Sequence, residues 1–207
     1  MIKLNEGYRE ILDAIASDSP TPGGGSVAAL SLAHAHALAC MVARLTLKSD
    51  KWESGHDAAA KILDVSQEGV SAAIDLAHKD AKSFDSVMRA FKMPKITDPE
   101  IARRRYAITH GYGLATAVPI RTAHLGLKLL RSLEEFVTTC NANAITDLAA
   151  AAELAHSTIS IAALNVKINL PSLEEPMSSD YLKGIGLIES ESAVLVERIN
   201  TIVAGRM

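Results

Sequence analysis

The chain has 207 residues, with 21 Lys and Arg against 24 Asp and Glu, for a formal net charge of −3. That length bounds it to one domain, or two small ones, with core enough to need no disulfide or metal. The lack of a basic run argues against nucleic acid as a main partner, and Cys40 and Cys140 by themselves form no disulfide framework. No segment reads as a signal peptide, and no apolar stretch reads as long and charge-free enough to cross a bilayer. A soluble cytoplasmic protein without membrane contact is therefore expected.

Hydrophobic residues make up 48% of the chain and aromatics only 4%. The core is then mostly Ala, Leu, Ile and Val, whose small side chains let helices approach closely. Nearly every segment has helical periodicity and none sustains strand alternation, so an all-α domain over 1–207 is expected, with about six helices. The first covers 4–16 and stops before Ser17-Asp18-Ser19-Pro20. Next, Pro20-Thr21-Pro22-Gly23-Gly24-Gly25-Ser26 interrupts the alanine-rich pattern. Three adjacent glycines are costly to order; such a loop belongs where the backbone must approach something closely or take a positive φ. It opens a second helix over 26–47, whose first-turn N–H groups lack partners and offer a cradle for an anionic or carbonyl-bearing ligand. A tight interhelical turn with Ser26 as N-cap explains the same residues. After the polar break Lys48-Ser49-Asp50-Lys51, a long third helix runs over 53–91 and ends before Pro94. A fourth starts at Asp98-Pro99-Glu100, an N-cap followed by proline. It continues to 138 with a bend at Val118-Pro119. The fifth covers 143–168 and the sixth 179–204, the latter interrupted near Gly184 and Gly186.

Polar residues on apolar helix faces are the next signal. Asp80, Phe84, Val87 and Phe91 share one face of the third helix by their i, i+4, i+7, i+11 spacing. An aspartate aligned with two phenylalanines is expensive unless paired or solvated in a cleft. Burial there would raise its pKa and suit it to proton transfer; pairing with a nearby lysine at the edge of the stripe is the plainer account. On the fifth helix Asp147 lies in or near the first turn, where the helix dipole favours a carboxylate. Asn165 and Asn169, one turn apart near its other end, can grip a heterocycle through paired donors and acceptors or cap the helix. His36 and Cys40 are one turn apart, but no further ligand cluster follows, so no metal is expected. Arg103-Arg104-Arg105 reads as a solvated helix face with a possible contribution to an anion site.

Four blocks, in order, carry a family resemblance. They are Thr21-Pro22-Gly23-Gly24-Gly25-Ser26-Val27-Ala28-Ala29-Leu30 with Met41-Val42-Ala43; Asp80-Ala81-Lys82-Ser83-Phe84 with Phe91-Lys92-Met93-Pro94-Lys95; Val118-Pro119-Ile120-Arg121; and Asn141-Ala142-Asn143-Ala144-Ile145-Thr146-Asp147 continuing to Asn165-Val166-Lys167-Ile168-Asn169-Leu170. Over nearly its whole length the chain resembles the C-terminal family of formimidoyltransferase-cyclodeaminase, which includes stand-alone methenyltetrahydrofolate cyclohydrolases. His34-Ala35-His36, Arg44 and Leu148 depart from the family's usual small or amide residues.

The resemblance implies an all-helical subunit, usually a homodimer, acting on reduced folates with no metal or redox cofactor. It implies a cyclodeaminase, which converts 5-formimidoyl-tetrahydrofolate to 5,10-methenyl-tetrahydrofolate and ammonia. The alternatives are a cyclohydrolase opening the methenyl ring to 10-formyl-tetrahydrofolate, or a non-catalytic folate-binding or scaffold protein on the same fold. Both reactions need proton transfer at nitrogen and a negative group beside a cationic carbon. Asp80 and Asp147 are the expected acid–base and cation-stabilising pair. Gly23, Gly24, Gly25 and Ser26 are expected to approach the pterin or bridging carbon, with Phe84 in the pocket, Asn165 or Asn169 on the pterin edge, and Lys95 or Arg121 at the glutamate tail.

Overall fold

The computed structural model describes residues 7–207, and within them the chain is an all-α bundle without strands. The helices are α1 (Tyr8–Ile15), α2 (Gly24–Leu47), α3 (His56–Phe91), α4 (Asp98–Phe136), α5 (Ile145–Asn169) and α6 (Met177–Arg206), with 3-10 turns at Asp50–Gly55, Ala142–Ala144 and Leu170–Ser172. The expected start of the first helix at Leu4 lies outside the described residues.

Helix α2 is the centre of the bundle. It packs on α3 and α5; α4 closes against α3 and α5; and α6 lies on α4 and α5. Its buried residues, among them Ala28, Ala29, Leu32, Ala35, Ala39, Val42 and Ala43, run around the helix rather than along one stripe. This corrects one expectation: α2 is 24 residues long and an 18-residue window of it has a mean hydropathy of 1.6, long and apolar enough to cross a membrane. Here that apolarity is spent on the bundle core, as befits a helix surrounded by others. Alanine and glycine permit the close spacing: a Cβ on Gly126 of α4 would stand 3.0 Å from Ile159 Cγ1 and 3.3 Å from the Ala155 carbonyl of α5.

Helix α2 runs antiparallel to α5. Thr158 Oγ1 donates to the Ala28 carbonyl at 3.0 Å, Gly24 lies beside Ile161 and Asn165, and at the far end Asn141 N–H donates to Thr46 Oγ1 at 3.0 Å. The start of α2 and the end of α5 therefore share one end of the bundle, and that end holds the cleft described below.

Three boundaries differ from expectation. Gly23, not Ser26, is the N-cap of α2, because the Ser26 hydroxyl is engaged elsewhere. Thr97, not Asp98, caps α4: it forms a capping box with Glu100, whose carboxylate accepts from the Thr97 N–H at 2.9 Å. Helix α6 is not interrupted at Gly184 and Gly186; it runs unbroken, anchored by buried Ile185 and Ile188, while Cβ atoms at both glycines would meet open space. Helix α4 likewise continues through Pro119.

Candidate active site

At the shared end of α2 and α5 a cleft of about 410 Å³ opens between the glycine loop, α3, α4 and the last turn of α5. The volume falls within the ~300–1,000 Å³ of typical small-molecule sites. One wall is the α3 stripe read from the sequence, Asp80, Phe84, Val87 and Phe91, joined by Ser83 and Met88. Pro20, Thr21 and Gly23–Gly25 form a second side, Tyr112 and Ala115 come from α4, and Asn165, Ile168 and Asn169 close the end. Phe91 meets Tyr112 edge-on, with ring centroids 6.3 Å apart. Arg104 covers the outer face of Phe91 at 5.5 Å and donates to its carbonyl at 3.4 Å.

Among the described residues, Asp80 is the one carboxylate in the cleft wall. Its Oδ2 lies 3.0 Å from Ser26 Oγ, and the Ser26 backbone N–H also bonds the carboxylate. Ser26 is itself buried, and its Oγ is equally 3.0 Å from the Ala77 carbonyl. Burial raises the Asp80 pKa above the usual carboxylate value, against the lowering effect of the two Ser26 bonds. A hydroxyl has one proton to donate. It can give that proton to ionised Asp80, or turn it to the Ala77 carbonyl and accept from protonated Asp80. The pair thus accommodates both states of the carboxyl, which a group that transfers protons requires.

The glycine loop works by close approach. A Cβ on Gly25 would stand 2.6 Å from Asp80 Cγ and 2.7 Å from Oδ2, so only glycine lets the carboxylate rest on the first turn of α2. A Cβ on Gly24 would reach only ordinary contact, 3.9 Å from Asn165 Nδ2. Positive φ, the other use expected of the loop, is absent: among the described residues it occurs only at Gly7.

The two asparagines both reach the cleft. Asn165 Nδ2 donates to the Ile161 carbonyl at 2.9 Å, leaving its amide oxygen and second N–H for a ligand. Asn169 Nδ2 donates at 3.0 Å to the Ala115 carbonyl. Ala115 is four residues before Pro119, so its carbonyl has no intrahelical N–H partner. Asn169 supplies one, tying the end of α5 to α4.

Three expected site residues do not join the cleft. Asp147 lies 18 residues before Asn165 on the same helix, about 27 Å away along its axis. Lys95 is exposed in the connection between α3 and α4. Arg121 is exposed on α4, where its charge acts on Asp75 of α3. Of the three consecutive arginines only Arg104 folds in, over Phe91. Ser83, Met88 and Tyr112 were missed in the sequence, though Met88 continues the α3 stripe one turn after Phe84. His36 is buried and its Nδ1 pairs with Ser66 Oγ at 3.1 Å.

A formiminotransferase-cyclodeaminase family model matches residues 7–183, which hold every wall of this cleft. The chain belongs to that family. It is 32% identical to a methenyltetrahydrofolate cyclohydrolase of Methylorubrum extorquens, over 98% of each chain. It is 30% identical to the formimidoyltransferase-cyclodeaminase of Rattus norvegicus over 172 residues, 83% of this chain but 32% of that longer protein. Its fold superposes on a crystal structure of formiminotetrahydrofolate cyclodeaminase from Thermotoga maritima with a TM-score of 0.86, at 27% identity and 98% coverage of both chains. The family resemblance of the four sequence blocks therefore holds along the chain, and three of those blocks contribute residues to the cleft of this chain.

Proposed function

We infer that this chain is a folate one-carbon enzyme whose cleft holds the carbon between N5 and N10 of a reduced folate, and that it is a formimidoyltetrahydrofolate cyclodeaminase. The observation that carries the reading is Asp80: a half-buried carboxyl with a raised pKa, facing an aromatic cleft and held by Ser26 and the start of α2. A carboxyl whose protonated form is favoured by burial can act as a general acid.

The chemistry follows from that placement. The pterin lies between Phe84 and Tyr112, with its edge at the free donor and acceptor of Asn165. N10 attacks the formimidoyl carbon on N5 and its proton passes to the imino nitrogen, giving a tetrahedral carbon bonded to N5, N10 and an amino group. Asp80 gives its proton to the amino nitrogen, the C–N bond breaks, ammonia leaves, and the 5,10-methenyl cation remains. Asp80 is then ionised beside that cation and stabilises it, with the Ser26 hydroxyl turned towards it. Holding N5 and N10 in one rigid cleft supplies the proximity. Arg104, at the mouth, takes the glutamate-tail role expected of Lys95 or Arg121. This reading invokes no metal or redox cofactor, and the folate is the substrate.

The Methylorubrum relative, similar over its full length, supports a second reading. As a cyclohydrolase the same site would add water to the methenyl carbon, with ionised Asp80 taking the proton. The non-catalytic scaffold alternative is set aside, because the relatives bear enzyme names and Asp80 stands in the cleft wall bonded to Ser26. We also take the working unit to be a cytoplasmic homodimer.

The test is turnover of two folates side by side. Ammonia release from 5-formimidoyl-tetrahydrofolate with methenyl accumulation supports the cyclodeaminase. Accelerated loss of 5,10-methenyl-tetrahydrofolate alone supports the cyclohydrolase, and activity on neither in folded protein overturns both.

A further inference from the structure

Between the last turn of α1 and Gly23 the chain is held in place by little. Helix α1 buries no residue and shares no extensive packing with another helix. Ser17, Asp18, Ser19 and Pro20 are exposed. The segment's own bonds are short-range. Ser17 Oγ donates to the Ala14 carbonyl at 2.7 Å, Ser19 Oγ donates to the Thr21 carbonyl at 2.9 Å, and the Ser19 N–H donates to Ser17 Oγ at 3.3 Å. Such bonds fix the shape of the segment but not its position on the bundle. Yet Pro20, Thr21 and Gly23 make one side of the cleft, and a site binds well when its sides stand in place beforehand.

Among the described residues, one side-chain hydrogen bond crosses from this segment to the body of the bundle: Thr21 Oγ1 donates to Asp85 Oδ1 of α3 at 3.3 Å. Asp85 directly follows Phe84, which lines the cleft, but is itself exposed and outside the lining. Lys82 and Arg89 stand one turn to either side, and among the described residues neither forms an ion pair with it. Its oxygens are therefore left to Thr21, and a carboxylate makes a stronger acceptor than a neutral group. The prolines on both sides of Thr21 fix φ, so the Pro20–Pro22 piece has few ways to flex and moves with its anchor.

We propose that Asp85 is a positioning residue for the cleft: through Thr21 it fastens the loop wall to α3, and so sets how much of the free protein is ready to bind, without touching the ligand. An apparent dissociation constant is the intrinsic one divided by the fraction of chains in the binding-competent state. Releasing the latch lowers that fraction in the free protein. A bound ligand that touches both α3 and the loop holds the wall by itself, so the chemistry at Asp80 proceeds normally once the site is filled. The latch therefore acts on KM and not on kcat. The identity of the ligand rests on the folate reading above; the latch does not.

The test uses full-length Asp85→Ala, Asp85→Asn and Thr21→Val chains and the double variant Asp85→Ala/Thr21→Val. Asp85→Ala and Thr21→Val are each expected to raise KM about three- to fivefold, with kcat within about twofold of wild type. Asp85→Asn keeps an acceptor oxygen and restores most of the affinity. The double variant is no worse than Asp85→Ala alone, because both changes delete the same bond. An unchanged KM in Asp85→Ala, with or without a lower melting temperature, overturns the proposal. So does a fall in kcat as large as the rise in KM, or a double variant whose losses add. The position of the loop is read without activity by a nitroxide on Asp18→Cys, which is labelled selectively because Cys40 and Cys140 are buried. Its mobility is expected to rise in Asp85→Ala and to fall back in Asp85→Asn; a label indifferent to Asp85→Ala means there is no latch. If wild type turns over neither folate while Asp85→Ala frees the label, the folate reading fails and the latch stands.

Discussion

Replacing Gly25 with alanine separates a cradle for a carboxylate from a merely flexible loop. The added Cβ would stand 2.6 Å from Asp80 Cγ. Ordinary contact starts near 3.4 Å, so the carboxyl must retreat by almost an ångström and give up its bonds to Ser26. Displacement of a reacting group on that scale costs about 10²-fold in rate. The folded state should not suffer in proportion, since Gly→Ala in a helix gains up to about 1 kcal/mol of propensity. Gly25→Ala is therefore expected to lower kcat about 10²-fold with a melting temperature at or near that of wild type. Gly24→Ala, whose Cβ meets only Asn165 and Ile161 near 4 Å, should keep kcat within about threefold. The assay is ammonia release and methenyl loss, with thermal unfolding on the same samples. If Gly25→Ala turns over like wild type, or if Gly24→Ala is the more damaged, the cradle argument is wrong.

Asp80→Asn should lose on the order of 10²–10⁴-fold in turnover yet be no less stable at neutral pH. The raised pKa means the folded protein binds the Asp80 proton more tightly than the unfolded chain does, so stability falls as pH rises through the carboxylate range, and the amide removes that loss; urea unfolding at pH 7 that shows a less stable variant would contradict it. His36 has the opposite sign: burial lowers its pKa from 6.5 to about 4, with the Lys128 charge contributing. The unfolded chain takes up this proton first as pH falls, so the stabilisation present above pH 6.5 is lost progressively down to pH 4, on the order of 3 kcal/mol. His36→Leu should flatten that part of the stability–pH curve, and an unchanged slope would refute the assignment. Asn169→Ala should cost about 1–2 kcal/mol by leaving the Ala115 carbonyl unpartnered and raise KM more than it lowers kcat; an equal fall in kcat with KM unchanged would give Asn169 a part in the chemistry instead.

The helical periods, the breaks at proline and glycine, and the alanine-rich core were all legible in the sequence, because each is a local property repeated along the chain. So was the α3 wall of the cleft: a helix fixes which of its residues share a face, and Asp80, Phe84, Val87 and Phe91 had to lie together whatever packed on them. What local pattern could not supply was which helix ends meet. Asp147 and Asn165 share an α5 face, yet the rise per residue holds them far apart, and only the antiparallel packing of α2 on α5 puts the glycine loop beside Asn165 and not beside Asp147. The same packing turned Ser26 from a cap into the partner of Asp80, assigned Asn169 to the carbonyl freed by Pro119, and laid Arg104 over Phe91 while Lys95 and Arg121 stay exposed. The sequence determined the elements and their faces; their juxtaposition is a long-range property, fixed by how alanine and glycine let α3, α4 and α5 close around α2.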